Sequence, residues 1–185
     1  MLWRIVINVS TLVERINTVT HFCFLIKLKT FVLSKSETGD LLEKMGSAWP
    51  QDAVPKVKTI KVYEVEEGRR LLVADETVAV QVQDNIVPFL AGKSEILQRF
   101  PSVTVDMGAV KFVCNGAKVM RPGIINFDSF KKGDIVVVKD QTHDRALAVG
   151  VALEDSEAAK AMPKGYVVEN LHYISDKMWE AYKEI

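Results

Sequence analysis

An excess of charge of either sign is missing from this chain of 185 residues: 24 Lys and Arg stand against 24 Asp and Glu. That balance argues against a polycation coating nucleic acid over a wide face and against an acidic solvating tail. Any contact with a polyanion has to come from a local patch. Cysteine is nearly absent as well. Cys23 and Cys114 are the only two, with no CxxC spacing and no clustered His, whereas a zinc site needs about four ligands. No metal, no cofactor and no disulfide framework are expected, and the composition suits a reducing cytoplasm. No phosphate-binding glycine loop followed by Lys-Ser/Thr occurs. Long hydrophobic runs are lacking too. Residues 1–26 carry Arg4, Arg15 and the short run Phe22 to Ile26, too brief for a membrane span and without a small-residue cleavage site. They read as an extension of uncertain status, and no membrane association is expected.

What is present is ordinary globular material, 48% hydrophobic and 26% charged, in a length that suits one large domain or two small ones. Thr30 to Leu33 reads as a short strand. Ser34-Lys35-Ser36-Glu37 is a capping box, opening a helix with Leu41, Leu42 and Met45 on one side that stops near Gly46. Val57 to Val65 alternates as a strand, and Glu66 to Arg69 is a hairpin turn into Arg70 to Ala74. Thr77 to Val82 and Asn85 to Leu90 follow. A short helix from Gly92 to Phe100 marks a boundary too tight for a flexible linker. The expected fold is α+β: a small α+β N-terminal domain over residues 27–100, then residues 101–185 as a second unit with a terminal helix.

In that second unit the most informative segment is Val103 to Ile125, VTVDMGAVKFVCNGAKVMRPGII. Asp106 follows an apolar run and precedes Met107-Gly108-Ala109, so its carboxylate is placed to cap a helix over 108–114. Asn115-Gly116 suits the left-handed exit of that helix. Lys118 to Met120 starts a strand, and Pro122-Gly123 is a tight turn or bulge in it. Cys114 lies on the apolar side of the helix, where a buried reduced thiol is expected. Downstream, Ile135 to Lys139 is a strand with an all-apolar core. Asp140 to Arg145 is a polar loop, and Ala146 to Leu153 is a returning strand with one face of tiny side chains that the helix near Gly108 is expected to approach. Asp155-Ser156 caps a turn of helix to Met162, Tyr166 to Val168 is a strand, and Ser175 to Tyr182 is a terminal helix carrying Met178, Trp179 and Tyr182. Many short strands with few helices indicate a small closed or nearly closed barrel.

Neither Asp106 nor the pair His143-Asp144 reads as catalytic. The first is explained by the cap, the second by a solvated loop, and no nucleophile stands at a matching spacing from these or from His172. No catalytic residue is assigned, and no enzyme is expected.

The pattern V-D-x-G-A-x-x-x-V-x-x-G-A-x-V-M-x-P-G-I resembles the PUA domain, an RNA-binding module, and the likeness continues through Gly133-Asp134, Ala146 to Leu153, Met162, Gly165 and Glu169-Asn170-Leu171-His172-Tyr173. With Leu28-Lys29-Thr30 near the start, the chain is similar to the malignant T-cell-amplified-sequence family and its stand-alone archaeal relatives. The resemblance implies a C-terminal PUA-type pseudo-barrel and an RNA surface around the helix and the loop after it. That surface would comprise Lys111, Asn115, Gly116, Ala117, Lys118, Met120 and Arg121, joined by Lys164 and Tyr166. Gly116-Ala117 is expected to leave room for a phosphate or ribose, Lys118 and Arg121 to stand in solvent, and Tyr166 to lie in the core more often than to stack. The implied role is in translation, with tRNA or rRNA as partner, the small ribosomal subunit or the tRNA acceptor end as target, and a translation-factor partner as in eukaryotic relatives. Two alternatives stay open: an RNA-binding accessory subunit of a tRNA or rRNA modification enzyme, and a protein–protein adaptor without RNA binding. From Val103 onward 11 Lys and Arg face 12 Asp and Glu, so a modest affinity with shallow salt dependence is expected.

Overall fold

A computed structural model of the chain describes residues 28–92 and 94–185; the extension expected over residues 1–26, with Cys23, lies outside the described residues. Strands β1 (Lys29–Val32), β2 (Lys61–Glu66), β3 (Arg69–Ala74), β4 (Thr77–Val82) and β5 (Asn85–Pro88) form a five-stranded antiparallel sheet in chain order. The strand expected from Val57 starts only at Lys61, because β1 ends opposite it (Val32 pairs with Lys61) and offers no partner further back. Helix α1 (Lys35–Ala48) opens with both halves of the capping box: Glu37 N–H donates to Ser34 Oγ at 3.3 Å, and Ser34 N–H donates to Glu37 Oε2 at 2.8 Å. It runs past Gly46 and ends at Trp49, whose extended backbone (φ −103°, ψ 152°) is what the following Pro50 demands. The Trp49 ring is buried, donating from Nε1 to Ile86 O at 2.7 Å and standing edge-on to Phe100. The connecting helix shrinks to one turn, α2 (Ser94–Leu97).

Six further strands make the second sheet: β6 (Ser102–Val105), β7 (Val119–Met120), β8 (Ile124–Phe127), β9 (Ile135–Asp140), β10 (Ala146–Ala152) and β11 (Tyr166–Tyr173). Their order is β7-β11-β10-β9-β6-β8, with β6 and β9 parallel. The two outermost strands, β7 and β8, are consecutive in the chain and joined by a 3-10 turn at Arg121–Gly123, so the sheet curls into a nearly closed barrel. Helix α3 (Met107–Val113) lies between β6 and β7 in sequence, α4 (Ser156–Ala161) between β10 and β11, and α5 (Lys177–Tyr182) ends the chain.

Strand β9 is apolar from Ile135 to Val138 because it has two dry faces. Val136 and Val138 pack inside the barrel, while Ile135 and Val137 join the core of the first sheet. That first core also takes in Val149, Leu171, Met178 and Ala181, so one hydrophobic core joins the two sheets. Helix α5 packs chiefly on β2 and β3. Its N-cap is Asp176, which accepts from Trp179 N at 2.8 Å, so the helix starts after the expected Ser175. Phe89 at the end of the first sheet stacks on His172 of β11 and touches Trp179 and Tyr182. Arg69 donates to Leu171 O at 2.7 Å across the same junction.

The small-residue face of β10 has a different cause from the one expected. Register shifts at Ala146/Ala148 and Val149/Gly150 break its alternation. A Cβ on Gly150 would lie 1.9 Å from Glu169 O, so the close neighbour there is strand β11, although α3 does also touch β10. Asp155 gives α4 no side-chain cap. Its carboxylate accepts instead from Lys132 N at 2.8 Å and from Lys131 Nζ, and Ser156 Oγ accepts from Phe130 N. β11 continues five residues beyond Val168, through the segment Glu169 to Tyr173.

Candidate nucleic-acid interface

Helix α3 is built as its sequence predicts. Asp106 caps it, accepting from Ala109 N–H at 2.8 Å. The helix exits through Gly116 at φ +81°, with Gly116 N–H donating to Val113 O and Ala117 N–H to Phe112 O. The missing side chain of Gly116 makes room for the protein itself rather than for a ligand: a Cβ there would sit 2.7 Å from Cε1 of Tyr173. Gly123 has a similar purpose. A Cβ on it would meet Ala109 at 2.9 Å, so its absence lets α3 lie close on the turn between β7 and β8. Asn170, a residue that sequence reasoning did not place in the site, ties down the far end of the helix by donating from Nδ2 to Val113 O at 2.9 Å and to Ala117 O at 3.2 Å.

Between α3, the loop after it, β7 and the start of β11 lies an open groove of about 640 Å³. Ala109, Phe112, Ala117, Val119, Met120, Pro122 and Tyr166 give it an apolar lining, with Asp106 and Lys118 as its charged members. Three of these side chains are large and face solvent: Phe112 is 57% exposed, Tyr166 54% and Met120 47%. An isolated exposed apolar residue is unremarkable, but a cluster of them around a concavity marks an interaction site. Tyr166 is thus an exposed ring and not a core residue; it pairs across the strands with Met120.

The cations predicted for the surface divide into three kinds. Lys118 Nζ lies 2.7 Å from Glu169 Oε2 and 5.8 Å from the centre of the Tyr166 ring. Lys111 extends over the ring of Phe112 at 4.8 Å. Lys164 is exposed at the turn before β11, and among the described residues neither it nor Lys111 has a carboxylate within ion-pairing distance. Arg121 departs from expectation, because it is not a solvent-facing contact. Its guanidinium donates to Ile124 O at 3.1 Å and to Lys160 O at 3.3 Å, lies over Phe127, and buries Nε. It is a bolt across the mouth of the barrel. Asn115 is exposed at the helix exit. Cys114 is half-buried rather than buried, and burial pushes its thiol above the ordinary range, so it stays protonated.

Near the histidines weighed for acid–base work, the carboxylates are engaged in hydrogen bonds. Asp140 gathers the N–H groups of Thr142, His143 and Arg145 at 2.7 to 3.0 Å, and these bonds, that of His143 first, hold its carboxyl below the usual range. His143 is exposed beside it. His172 is fully buried, its Nδ1 lying 2.8 Å from Asp176 Oδ2.

A curled six-stranded sheet with a short capped helix and an apolar groove at its closing turn is the architecture of one domain class. Residues 101–174 match the family model described as the PUA domain, an RNA-binding fold. Over 136 residues the chain is 31% identical to translation machinery-associated protein 20 of Saccharomyces cerevisiae, covering 69% of this chain and 75% of that protein. It is 29% identical to malignant T-cell-amplified sequence 1 of Rattus norvegicus, over 83% of this chain and 88% of the relative. A crystal structure of a hypothetical protein from the archaeon Pyrococcus horikoshii superposes with a TM-score of 0.69 at 27% identity, over 83% of this chain and 99% of that one. The chain belongs to the PUA-domain family of translation machinery-associated protein 20 and the malignant T-cell-amplified sequence proteins. No described helix is long and apolar enough to cross a membrane.

Proposed function

We propose that this chain is a non-enzymatic, cytoplasmic RNA-binding protein of the translation machinery, which holds single-stranded or irregular RNA in the groove beside α3. The carrying observation is the conjunction of exposed Phe112, Met120 and Tyr166 with Lys118 at one concavity of a PUA domain, with Lys111 over the Phe112 ring and Lys164 two residues before Tyr166 in the chain. Rings and a thioether give flat apolar contacts to splayed bases, and ammonium groups meet phosphates. The name of translation machinery-associated protein 20 supports translation as the setting; the tRNA acceptor end or the small ribosomal subunit as target and a translation factor as companion are part of the proposal. The division of the strands near Phe100 supports reading residues 27–100 as a positioning domain and 101–185 as the RNA-binding one. Because the two halves share a core, they are proposed to move as one body.

Ultraviolet crosslinking of the protein with its co-purified RNA, followed by peptide mapping, tests this reading. Crosslinks on the peptides carrying Phe112 and Tyr166, together with ribosomal or transfer RNA, are expected. Recovery of a modification enzyme instead, or of neither RNA nor ribosomes, would refute the translation reading.

A further inference from the structure

Val167 and Val168 are consecutive, yet both are fully buried in the barrel core. A regular strand would send one of them outward. The pairing of β11 with β7 slips between Tyr166 and Val168, and this bulge absorbs the conflict. Its consequence is that Tyr166 and Glu169, on either side of the valine pair, come within reach of the same ammonium group, that of Lys118. Lys118 is the one cation lining the groove among the described residues. With Glu169 Oε2 2.7 Å away, it is already neutralised before any ligand arrives.

We infer that Glu169 attenuates the electrostatic part of RNA binding at this groove, acting through Lys118. The inference rests on the proposed RNA-binding function. A phosphate that takes Lys118 must displace a carboxylate, which is then left beside the phosphate and takes up a cation from solution. Binding therefore gains little from charge and leans on the apolar lining. A polyanion that cannot fill the groove gains still less. The device suits a protein with no net charge: it keeps the site from collecting nucleic acid indiscriminately while leaving the lysine available to a ligand that also satisfies Phe112, Met120 and Tyr166.

Glu169→Gln keeps the side-chain volume and removes the charge. Titration of a labelled oligouridine at several salt concentrations, using the full chain, reads the effect. A half-exposed ion pair of this kind corresponds to an affinity gain of up to about fivefold at low salt. The slope of log K against log salt is expected to steepen by about 0.7, the value for one additional net counterion release from a single strand. In a Lys118→Met background the same Glu169→Gln change is expected to give neither gain nor steepening. Melting curves of all variants establish that the fold is kept. If the wild-type chain binds and Glu169→Gln alters neither affinity nor slope, the attenuator role fails while the RNA reading stands. An equal gain in both backgrounds also overturns it, since Glu169 would then act by general repulsion. If neither wild type nor Glu169→Gln binds oligouridine at low salt, both readings fall.

Discussion

Removing the carboxylate of Asp176 tests what locks the two sheets together. This side chain is 1% exposed and serves three donors at once. His172 Nδ1 lies 2.8 Å from Oδ2, Tyr173 N–H donates to the same oxygen at 3.3 Å, and Trp179 N–H donates to Oδ1 at 2.8 Å as the cap of α5. Leu90 N–H donates to Nε2 of the same imidazole at 3.3 Å, which leaves Nδ1 to carry the proton and donate to Asp176. The ring also stacks on Phe89. One carboxylate therefore orients a ring that joins β5's exit to β11 and anchors the helix that packs on β2 and β3. In Asp176→Ala the lost helix cap costs about 1 kcal/mol. A buried imidazole N–H and a partly buried backbone N–H left without acceptors cost roughly 1–3 kcal/mol between them. The total, about 2–4 kcal/mol, is a large part of the stability of a typical domain.

With a urea m-value of about 2 kcal/mol/M, the midpoint is expected to fall by roughly 1–2 M, followed by circular dichroism and tryptophan fluorescence. Asp176→Asn keeps an acceptor for the cap but not for all three donors, and its midpoint is expected between the two. Acid adds a second measurement. Burial pushes the Asp176 carboxyl up, but the His172 hydrogen bond and the N–H groups of Trp179 and Tyr173 outweigh it, so the folded value lies below the ordinary one. A lowered carboxyl stabilises fully above its unfolded value, about 3.9, and loses that contribution as pH falls through the folded value. The gap between wild type and Asp176→Ala is therefore expected to hold down to about pH 5 and to narrow as pH falls further, past about pH 3. A midpoint shift under about 0.5 M at pH 7, or a gap that widens in acid, would refute the clamp.

Three further outcomes are expected at the groove. Tyr166→Ala should leave the melting temperature nearly unchanged, since the ring is 54% exposed, but weaken oligouridine binding by about 1–3 kcal/mol if a base stacks there; equal affinity in a titration would remove Tyr166 from the interface. Arg121→Ala should lower thermal stability by about 1–3 kcal/mol through two lost carbonyl contacts and lost packing on Phe127, whereas Lys118→Ala should spare stability and, with Glu169 in place, leave the salt slope nearly unchanged, so similar melting curves for the two would contradict their division of labour. Gly116→Ala adds a Cβ at φ +81° against Tyr173; the left-handed strain alone costs about 1–2 kcal/mol, and a calorimetric scan showing no loss would mean that the helix exit readily rearranges.

What the sequence discloses and what it conceals follow one physical division. Local chemistry is legible. Ser34 and Glu37, Asp106 before Met107-Gly108, and Asn115-Gly116 act on backbone within four residues, so spacing suffices to read the caps of α1 and α3 and the exit of α3. The pattern around Asp106 to Ile125 reaches further only because it matches a known domain. Strand extent is less legible, since it depends on a partner: Val57 to Ile60 alternate well but have no β1 residues opposite them. Purpose at a given residue is least legible. Gly116 reads as space for a ligand, yet the space is taken by Tyr173, more than fifty positions along the chain. Arg121 reads as a free cation, yet its donors meet carbonyls of Ile124 and Lys160. The parity of β11 is the sharpest case. Counting by twos from Tyr166 puts Glu169 on the opposite face, away from Lys118. The bulge that reverses this parity exists because two adjacent valines both prefer the core, and that preference is written in Val167-Val168 itself. A strand with two successive β-branched residues, flanked by an aromatic and an acid, therefore carries a signal for a bulge. Searching for a cation opposite such a pair would have found the Lys118–Glu169 contact before its geometry was known.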